Sequence, residues 1–512
     1  MSFLLAFIPI AIILILMVGF RWGAARAGAA GYLSAVVVAI LFFGAGAKLL
    51  AFAHTKALLL TIDVLFIIWT AFLLYRVADE AGAIRTIGQS LPHLTADRGM
   101  QALIIGWAFA SFLQGVGGFG VPVAVIAPIM IGLGFSPLAG VVIPSIGHGW
   151  AVTFGSLGSS FQALMAATNL EWQILVAPTA FFLGVACIAV GQMVSHASGG
   201  WAAVRRLFWP ALIMGVVMAS IQFIVVTSGF WNIGAFCGGL AGLIVAYPLA
   251  RRYRGDSGSQ NIDSDLDVRA LAIALSAYAV LVTVTLGVQL IPGVKTALGQ
   301  IFVIEVDFPE VTTALGHVTP AGLGRRIPVF SHAGMILAFS SLAAYFIYRW
   351  AGLYQSGAPG RILSGTLRRV MSSSVSIASM VAMAVIMQHS GMTETLAQGL
   401  AKGVGRAYPL VAPLIGALGA FMTGSNTNSN VVFGALQLRT AVLLTYSVAI
   451  ILAAQTAGAA VASIMAPTKV VVGASTAGMS GREGDVMRKL IVYTAILVAI
   501  ISVLAMLGVW LL

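Results

Sequence analysis

The chain has 512 residues, of which 60% are hydrophobic and only 8% are charged, and its mean hydropathy is +1.02. A soluble domain is nearer a quarter charged, so this composition excludes an ordinary soluble protein. The net charge of +12 does not by itself indicate nucleic acid binding, because basic residues collect in the cytoplasmic loops of membrane proteins. The chain is predicted to be a polytopic membrane protein, with the lipid bilayer and not nucleic acid as its partner.

Apolar segments long enough to cross roughly 30 Å of hydrocarbon recur along the chain. The predicted spans are residues 3–20, 29–53, 57–77, 172–195, 207–228, 231–250, 269–292, 331–348, 370–389 and 490–512. Two interrupted regions, 101–167 and 407–480, each hold more apolar residues than one helix needs. Each is predicted to contain a short helix, a re-entrant hairpin and one or two broken helices. The fold class is therefore all-α, with about 12–14 transmembrane helices.

Asp63 lies in the third predicted span, about seven residues from its start. A titratable side chain within a span is a candidate for ion coupling. The alternative is a carboxylate that water reaches at the edge of the membrane.

The first broken region contains the segment Ser111-Phe-Leu-Gln-Gly-Val-Gly-Gly-Phe-Gly-Val-Pro-Val-Ala124. Its glycines allow the backbone to approach a ligand closely, and Pro122 suits the first turn of a helix. The pattern predicts a hairpin tip that opens into a helix at Val121–Met130. The alternative is the close helix packing that small residues favour in membranes.

A second interruption, residues 147–155, follows this tip and contains His148. Histidine titrates in the physiological range and could shuttle protons. The alternative is a neutral histidine that serves packing alone.

Clusters of arginine and lysine between the spans predict which loops are cytoplasmic. These clusters contain Arg21 and Arg26, Arg85 and Arg98, Arg205 and Arg206, Arg251, Arg252 and Arg254, Arg349, Arg361, Arg368 and Arg369, and Arg482, Arg488 and Lys489. Both termini and the segment 293–330 then lie outside. The acids and histidines of this outer region, including His317 and His332, fit no metal template and are expected to be solvated. The polar segment 254–268 is predicted to be a flexible cytoplasmic linker.

The second broken region contains Ala420-Phe-Met-Thr-Gly-Ser-Asn-Thr-Asn-Ser-Asn-Val-Val-Phe-Gly434. Six consecutive side chains, 425–430, can form hydrogen bonds, and a helix that starts beside them adds a positive dipole end. Such a tip can hold a carboxylate. An external loop rich in turn residues is the alternative.

The two regions form a weak internal repeat, in which Gly115 corresponds to Gly424. A polar, small-residue interruption follows each tip, at 147–155 and at 455–459. This pattern is typical of transporters with inverted repeats, whose binding sites lie at such broken segments. The predicted organisation is an N-terminal half, 1–253, with a hairpin near 101–135, and a C-terminal half, 269–512, with a hairpin near 407–440.

Lys469 lies inside the apolar run Ile464–Val472. A lysine within the membrane is a functional candidate, and this one could face a substrate carboxylate or replace a coupling cation. The alternative is a lysine at the membrane edge that extends its ammonium group into water.

Several segments resemble the signature of the L-lactate/glycolate permease family. They are Gly118-Phe-Gly-Val-Pro-Val-Ala124, Ala127-Pro-Ile-Met-Ile-Gly-Leu-Gly-Phe135, Val152-Thr-Phe-Gly155, Phe421-Met-Thr-Gly-Ser-Asn-Thr-Asn-Ser-Asn-Val-Val-Phe-Gly-Ala-Leu-Gln437 and Ala466-Pro467. The resemblance covers most of the chain in order. It implies a secondary transporter that imports small monocarboxylates with protons, using paired re-entrant hairpins and a transport domain that moves beside a scaffold.

The chain departs from this family pattern at several positions. Gln114 stands where an acid is usual, and Asn426 stands where many members have Asp. Val121 replaces a Thr, His148 replaces an Asn, and Lys469 replaces a small polar residue. Two positions where the family has potential proton carriers are thus occupied by neutral amides. Because amides do not titrate near neutral pH, these two departures argue against proton coupling of the family's kind.

The predicted function is secondary active transport of a small 2-hydroxy monocarboxylate across a bacterial cytoplasmic (inner) membrane, by proton or sodium symport. The predicted substrate-binding residues are Gln114, Gly118, Phe119, Gly120, Ser425, Asn426, Thr427, Asn428, Asn430, Gln455, Thr456 and Lys469. His148 and Asp63 are the coupling candidates. No catalytic residue, metal or cofactor is expected, and a homodimer is compatible with the sequence.

Two other functions compete with this prediction. The first is exchange or uniport of another small organic anion, which the missing acids and Lys469 favour. The second is an integral-membrane enzyme, which short loops and polar residues within the spans disfavour. No Gly-x4-Gly-Lys-Ser/Thr loop is present, which argues against ATP-driven transport.

Overall fold

The computed structural model describes residues 2–20, 22–118, 120–253, 267–323 and 326–511. The helices before the linker are α1 (Ser2–Leu14), α2 (Ala24–Phe43), α3 (Ala47–Glu80), α4 (Ala83–Ser90), α5 (Arg98–Gln101), α6 (Ala110–Val116), α7 (Val121–Gly132), α8 (Pro137–Gly149), α9 (Ser159–Thr168), α10 (Trp172–Thr227) and α11 (Gly234–Arg252). Those after it are α12 (Val268–Leu290), α13 (Pro292–Ile301), α14 (Ala333–Trp350), α15 (Ala358–His389), α16 (Met392–Val404), α17 (Tyr408–Thr423), α18 (Asn426–Leu443), α19 (Val448–Ala462), α20 (Pro467–Thr476) and α21 (Glu483–Leu511).

Short π and 3₁₀ turns connect several of these helices. They are Ile15–Gly19, Leu91–Leu94, Ala102–Phe109, Ser156–Gly158, Trp231–Ile233, Gly405–Ala407 and Ser463–Met465. The predicted linker 254–268 falls almost wholly outside the described residues, since the structure describes only 267 and 268 of it.

Eleven helical segments of the described chain are long and apolar enough to cross a membrane. One of them, α10, is a helical hairpin, because its backbone leaves the helical region at Gly199 and Gly200. Its two arms fold back on each other: a Cβ at Gly215 would lie 3.0 Å from the Cα of Ile188. Counting both arms gives 12 spans, so the predicted all-α polytopic fold is confirmed.

The outer segment adds strands that the sequence analysis did not predict. Six two-residue strands form nested antiparallel pairs: β1 (Val303–Ile304) with β6 (Ile327–Pro328), β2 (Asp307–Phe308) with β5 (Gly322–Leu323), and β3 (Val311–Thr312) with β4 (Val318–Thr319). The tip of this β-hairpin touches the end of α2, where the backbone N–H of Ala314 donates to the carbonyl of Gly44 over 2.8 Å.

Two hydrophobic clusters hold the helices together. One joins α1, α2, α3, α15 and α16, and the other joins α6, α8, α10, α11, α19 and α21. The most apolar 18-residue window of Arg98–Val116 is fully buried, and that of Val448–Thr476 is 83% buried. The breaks at 150–158 and 463–466 are buried or half-buried, so their irregular backbone is not exposed to lipid.

Each broken region repeats one order of elements. In the first, α6 leads through a tip at 117–120 into α7, a turn into α8, a break at 150–158 and then α9. In the second, α17 leads through a tip at 424–425 into α18, a turn into α19, a break at 463–466 and then α20. The short helix after each break packs against the other region, α9 on α18 and α20 on α7. The chain thus contains two matching hairpin units that interlock.

Candidate functional site

The second hairpin tip is built by a glycine and a capping serine. Helix α17 ends at Thr423, and Gly424 turns the chain with φ +71°. The Ser425 hydroxyl accepts a hydrogen bond from the backbone N–H of Asn428 over 3.3 Å and so caps α18. A tip is present where it was predicted, but it is confined to 424–425, because the amide-rich residues 426–430 form the first turns of a buried helix. The alternative of an external loop is wrong.

The amides of this helix enter a buried network that joins both hairpin units. Asn426 Nδ2 donates to Thr153 Oγ1 over 3.0 Å and lies 3.4 Å from Thr456 Oγ1. Asn430 Nδ2 donates to Thr456 Oγ1 and to the carbonyl of Ser160, both over 2.9 Å. Thr153 and Ser160 belong to the first unit, so the network ties the two units together.

Thr427 and Asn428 face two different neighbours. The Thr427 hydroxyl lies 3.0 Å from the Ser160 hydroxyl of α9. Asn428 Nδ2 donates to Ser376 Oγ of α15 over 3.0 Å. One turn of α18 therefore contacts both the paired hairpin unit and a helix outside it.

Gln455 lies in the middle of α19, a continuous helix from Val448 to Ala462. The predicted interruption at 455–459 is therefore wrong, and the break comes later, at 463–466. Small residues such as Gly458 permit close helix contact: a Cβ there would meet the Pro413 carbonyl at 2.3 Å. Gln455 Nε2 donates to Ser429 Oγ over 3.1 Å, which locks α19 to α18.

The first hairpin tip turns on glycines at positive φ. Gly118 has φ +52° and Gly120 has φ +87°. A Cβ at Gly118 would meet Ser156 Oγ at 1.7 Å, so only glycine fits this contact. The predicted helix after the tip is confirmed as α7, with Pro122 in its first turn. Phe119, a predicted binding residue, lies outside the described residues.

Gln114 lies directly beneath this tip. A Cβ at Gly118 would lie 3.3 Å from Gln114 Nε2, and a Cβ at Gly155 would lie 2.8 Å from the same atom. Gln114 is buried, and its Oε1 accepts no hydrogen bond from any described residue. The break at 150–158 therefore touches Gln114 on one side and, through Thr153, Asn426 on the other.

His148 is buried in α8, just before the first break. Its Nδ1 donates to the Pro144 carbonyl over 2.7 Å, which leaves Nε2 as an acceptor without a partner among the described residues. A Cβ on the neighbouring Gly149 would lie 3.2 Å from Ile464, within the second break. His148 thus lies where the two breaks meet.

Lys469 lies in the first turn of α20, after the second break. Its Nζ donates to Ser463 Oγ over 3.0 Å, and its side chain is half-buried. Because the ammonium group turns inward to the break, the alternative of a lysine extended to the membrane edge is not what the structure shows.

Lys469 and the second tip open into a cavity of about 420 Å³ between α15, α18 and α20. Its basic lining residues are Arg368, Arg369 and Lys469. Its polar lining residues are Ser372, Ser373, Ser376, Thr423, Ser425, Asn428 and Thr468. A second cavity, of about 630 Å³, lies at the opposite end of α18, where Arg439 pairs with Glu394.

Asp63 occupies a different place from the one predicted. Helix α3 starts at Ala47, so Asp63 is buried in the middle of a long span and not near its end. Gln162 Nε2 of α9 donates to Asp63 Oδ2 over 2.8 Å. His332 Nε2 donates to Asp63 Oδ1 over 2.9 Å, since His332 Nδ1 accepts from the Gly334 N–H.

This contact also corrects the prediction for His332, which is buried at the start of α14 and is not solvated. The described residues contain no group of three potential metal ligands. Asp63 bonds to α9, which packs on α18, so it lies one helix away from the second tip.

Sequence reasoning missed several residues that the structure brings to the site. They are Thr153, Ser156, Ser160, Ser376, Arg368 and Arg369. The serines at the end of the first break, Ser156 and Ser160 among them, could have indicated two of the contacts. The two arginines were assigned only to a basic loop, because their approach to the second tip depends on long-range packing.

Together, the fold and the polar core define an integral membrane protein built around paired helical hairpins. Residues 2–512 match the L-lactate permease family, so the chain belongs to that family. The L-lactate permease of Bacillus subtilis is 26% identical, over 99% of this chain and 96% of that protein.

The chain is similar to two further proteins. The glycolate permease of Escherichia coli is 26% identical, over 99% of this chain and 95% of its own. The crystal structure of the YdaH transporter of Alcanivorax borkumensis shares 17% identity at a TM-score of 0.48, covering 87% of this chain and 85% of that one.

Proposed function

We propose that this protein is a secondary transporter of a small 2-hydroxy monocarboxylate, of the lactate or glycolate type, in a bacterial cytoplasmic membrane. The observation that carries the proposal is the family match over residues 2–512. The relatives include proteins named as L-lactate permeases and one named as a glycolate permease. Lactate and glycolate share a carboxylate and a 2-hydroxyl group.

The substrate binds at the second hairpin tip. Three features support this location: the capped N-terminus of α18, the ammonium group of Lys469, and the open cavity that they share. Helix N-termini and cations both favour a carboxylate. The buried network around Asn426, Asn430 and Thr456 lies beneath this site and positions the tip.

Access alternates between the two ends of α18. This helix has 18 residues and is therefore about 27 Å long. The 420 Å³ cavity is at its N-terminal end and the 630 Å³ cavity is at its C-terminal end. We assign the first cavity to the cytoplasmic side because basic loops collect on that side, and both termini then lie outside.

Cation symport completes the proposal, and Asp63 and His148 are the coupling groups. Asp63 has the stronger support, because its carboxylate bonds through Gln162 to α9, the helix that packs on α18. His148 offers an unpartnered Nε2 where the two breaks meet.

Uptake of labelled L-lactate into proteoliposomes tests the proposal, with a pH gradient and a sodium gradient imposed separately. Stimulation by one gradient is the expected result, and it identifies the coupling cation. Well-folded protein that takes up no lactate under either gradient would contradict the proposed substrate.

A second candidate is an exchanger or uniporter of another small organic anion. It is favoured by Gln114 and Asn426, amides that cannot carry protons where the resemblance implies acids. In that case uptake is the same with and without either gradient, and an excess of unlabelled substrate inside the vesicles accelerates it.

A further inference from the structure

The cavity at the second hairpin tip is lined by cations and has no acid among its described lining residues. Arg368, Arg369 and Lys469 face it. A chamber with this lining favours an anionic ligand.

Burial increases from the mouth of the cavity to its floor. Arg368 and Arg369 are exposed, Lys469 is half-buried, and Asn428 is only 3% exposed. Ser372, Ser373 and Ser376 follow the arginines along α15, and Ser376 reaches Asn428. An anion that enters at the arginines therefore meets a continuous row of hydroxyl groups leading to the tip.

The floor contains a buried acceptor that no described residue satisfies. Asn428 Nδ2 donates to Ser376 Oγ over 3.0 Å, but Asn428 Oδ1 accepts no hydrogen bond. A buried polar atom without a partner costs free energy, which a ligand can recover. A carboxylate cannot satisfy this oxygen because it carries no proton, so the ligand needs a donor next to its anionic group.

We infer that this cavity is the cytoplasm-facing binding chamber for a hydroxy acid, in which Arg368 and Arg369 attract the anion and Asn428 recognises its hydroxyl group. At the floor, Lys469 holds the carboxylate and the 2-hydroxyl donates to Asn428 Oδ1. This inference rests on the proposed function and extends it, because it assigns the discrimination between hydroxy acids and plain carboxylic acids to one side chain.

Counterflow of labelled L-lactate in proteoliposomes tests the inference, with unlabelled L-lactate or propionate as competitor. Propionate has the same carbon chain and lacks the hydroxyl group. For the wild-type protein we expect propionate to compete about tenfold less well, the effect of one hydrogen bond to a buried acceptor. In Asn428→Ala the two competitors become equal within about twofold, because lactate weakens and propionate does not.

Asn428→Asp is the control that distinguishes a loss of hydroxyl recognition from a loss of folding. It retains an acceptor oxygen, so the preference for lactate over propionate is kept while both acids bind more weakly beside the added negative charge. A tenfold preference that persists in Asn428→Ala would overturn the role of Asn428 while leaving lactate transport intact. Wild-type protein without lactate counterflow would instead contradict the proposed function itself.

The arginine pair makes a separate contribution. In Arg368→Gln/Arg369→Gln, both acids should compete about threefold less well at low ionic strength, and the difference should disappear at high salt, because exposed charges are screened. The lactate preference should not change. The matched control is Arg251→Gln/Arg252→Gln, an exposed pair at the end of α11. An equal effect of the control pair, or none from the cavity pair, would contradict an attracting role for the arginines.

Discussion

The two hairpin tips share one backbone geometry. In each, a glycine with positive φ lies against a hydroxyl group of the same unit. Gly118 lies against Ser156, within the first break, and Gly424 lies against Thr468, just after the second break. A Cβ would approach these hydroxyl oxygens to 1.7 Å and 2.4 Å respectively. Each tip is thereby fixed to its own broken helix.

The chemistry of the two tips differs. Around the first tip, Gln114 and Ser156 are buried. At the second, Ser425 is half-buried and lines an open cavity with Lys469. At the proposed site, the first tip therefore contributes mainly backbone, and the second contributes the charge and the polar side chains. The two tips share a backbone geometry, and their side chains are the reason that we propose binding at the second.

The largest expected effect is the loss of either glycine. Gly118→Ala and Gly424→Ala should each abolish uptake, because the new methyl group meets a hydroxyl group inside contact distance at a φ that alanine disfavours. Uptake and the melting temperature of the purified protein measure the effect. Full activity in either variant would contradict the close contact.

Second substitutions should then show that the two tip glycines are packed with different tightness. Thr468→Ala should rescue Gly424→Ala, since the next atom, Thr468 Cβ, is 3.7 Å away, leaving about 1–2 kcal/mol of backbone strain. Ser156→Ala should not rescue Gly118→Ala, because Ser156 Cβ still lies at 3.0 Å. Equal rescue at both tips would show that their packing is alike.

The next effect concerns the charge at the second tip. Lys469→Gln should weaken lactate competition about 30-fold, since a hydrogen bond to a charged group contributes about 2 kcal/mol. Lys402→Gln, an exposed lysine near the end of α16, is the matched control and should leave competition unchanged. Competition that survives Lys469→Gln would move the anion site away from this tip.

Local sequence patterns predicted the framework of both units. Hydropathy located the spans, the glycine and serine of the second segment indicated a turn there, and Pro122 marked the start of α7. These features depend on short-range chemistry, which a sequence displays directly. The predicted halves, 1–253 and 269–512, remain a prediction.

Features that depend on tertiary contact were less predictable. The residues 455–459 resemble an interruption because they are small and polar, but they are helical, since Gly458 packs on the Pro413 carbonyl. His332 looked solvated because nothing nearby in sequence indicates its partner, Asp63, which is 269 positions away. Long-range pairing of this kind is invisible to a local pattern.

A smaller effect tests whether the buried Asp63 couples uptake to a cation. A gradient of one pH unit stores about 1.4 kcal/mol per proton and can accumulate lactate about tenfold. In Asp63→Asn this accumulation should fall to unity, while counterflow, which needs no gradient, continues. Glu171→Gln, an exposed acid before α10, is the control. Accumulation that persists in Asp63→Asn would exclude this carboxylate from coupling.

The smallest effect compares the two amides that occupy positions where the family resemblance implies acids. Asn426→Asp should fold, because the hydroxyl groups of Thr153 and Thr456 can donate to a carboxylate. Its lactate uptake should change about threefold over one pH unit, as expected for a carboxyl group that titrates near its pKa. Gln114→Glu should instead lower the melting temperature, since Oε1 has no donor among the described residues and burying an unpaired carboxyl group costs about 2 kcal/mol or more. If Gln114→Glu gained the pH dependence and Asn426→Asp did not, the first tip would be the one built to carry a proton, and the assignment of ligand chemistry to the second tip would need to be reversed.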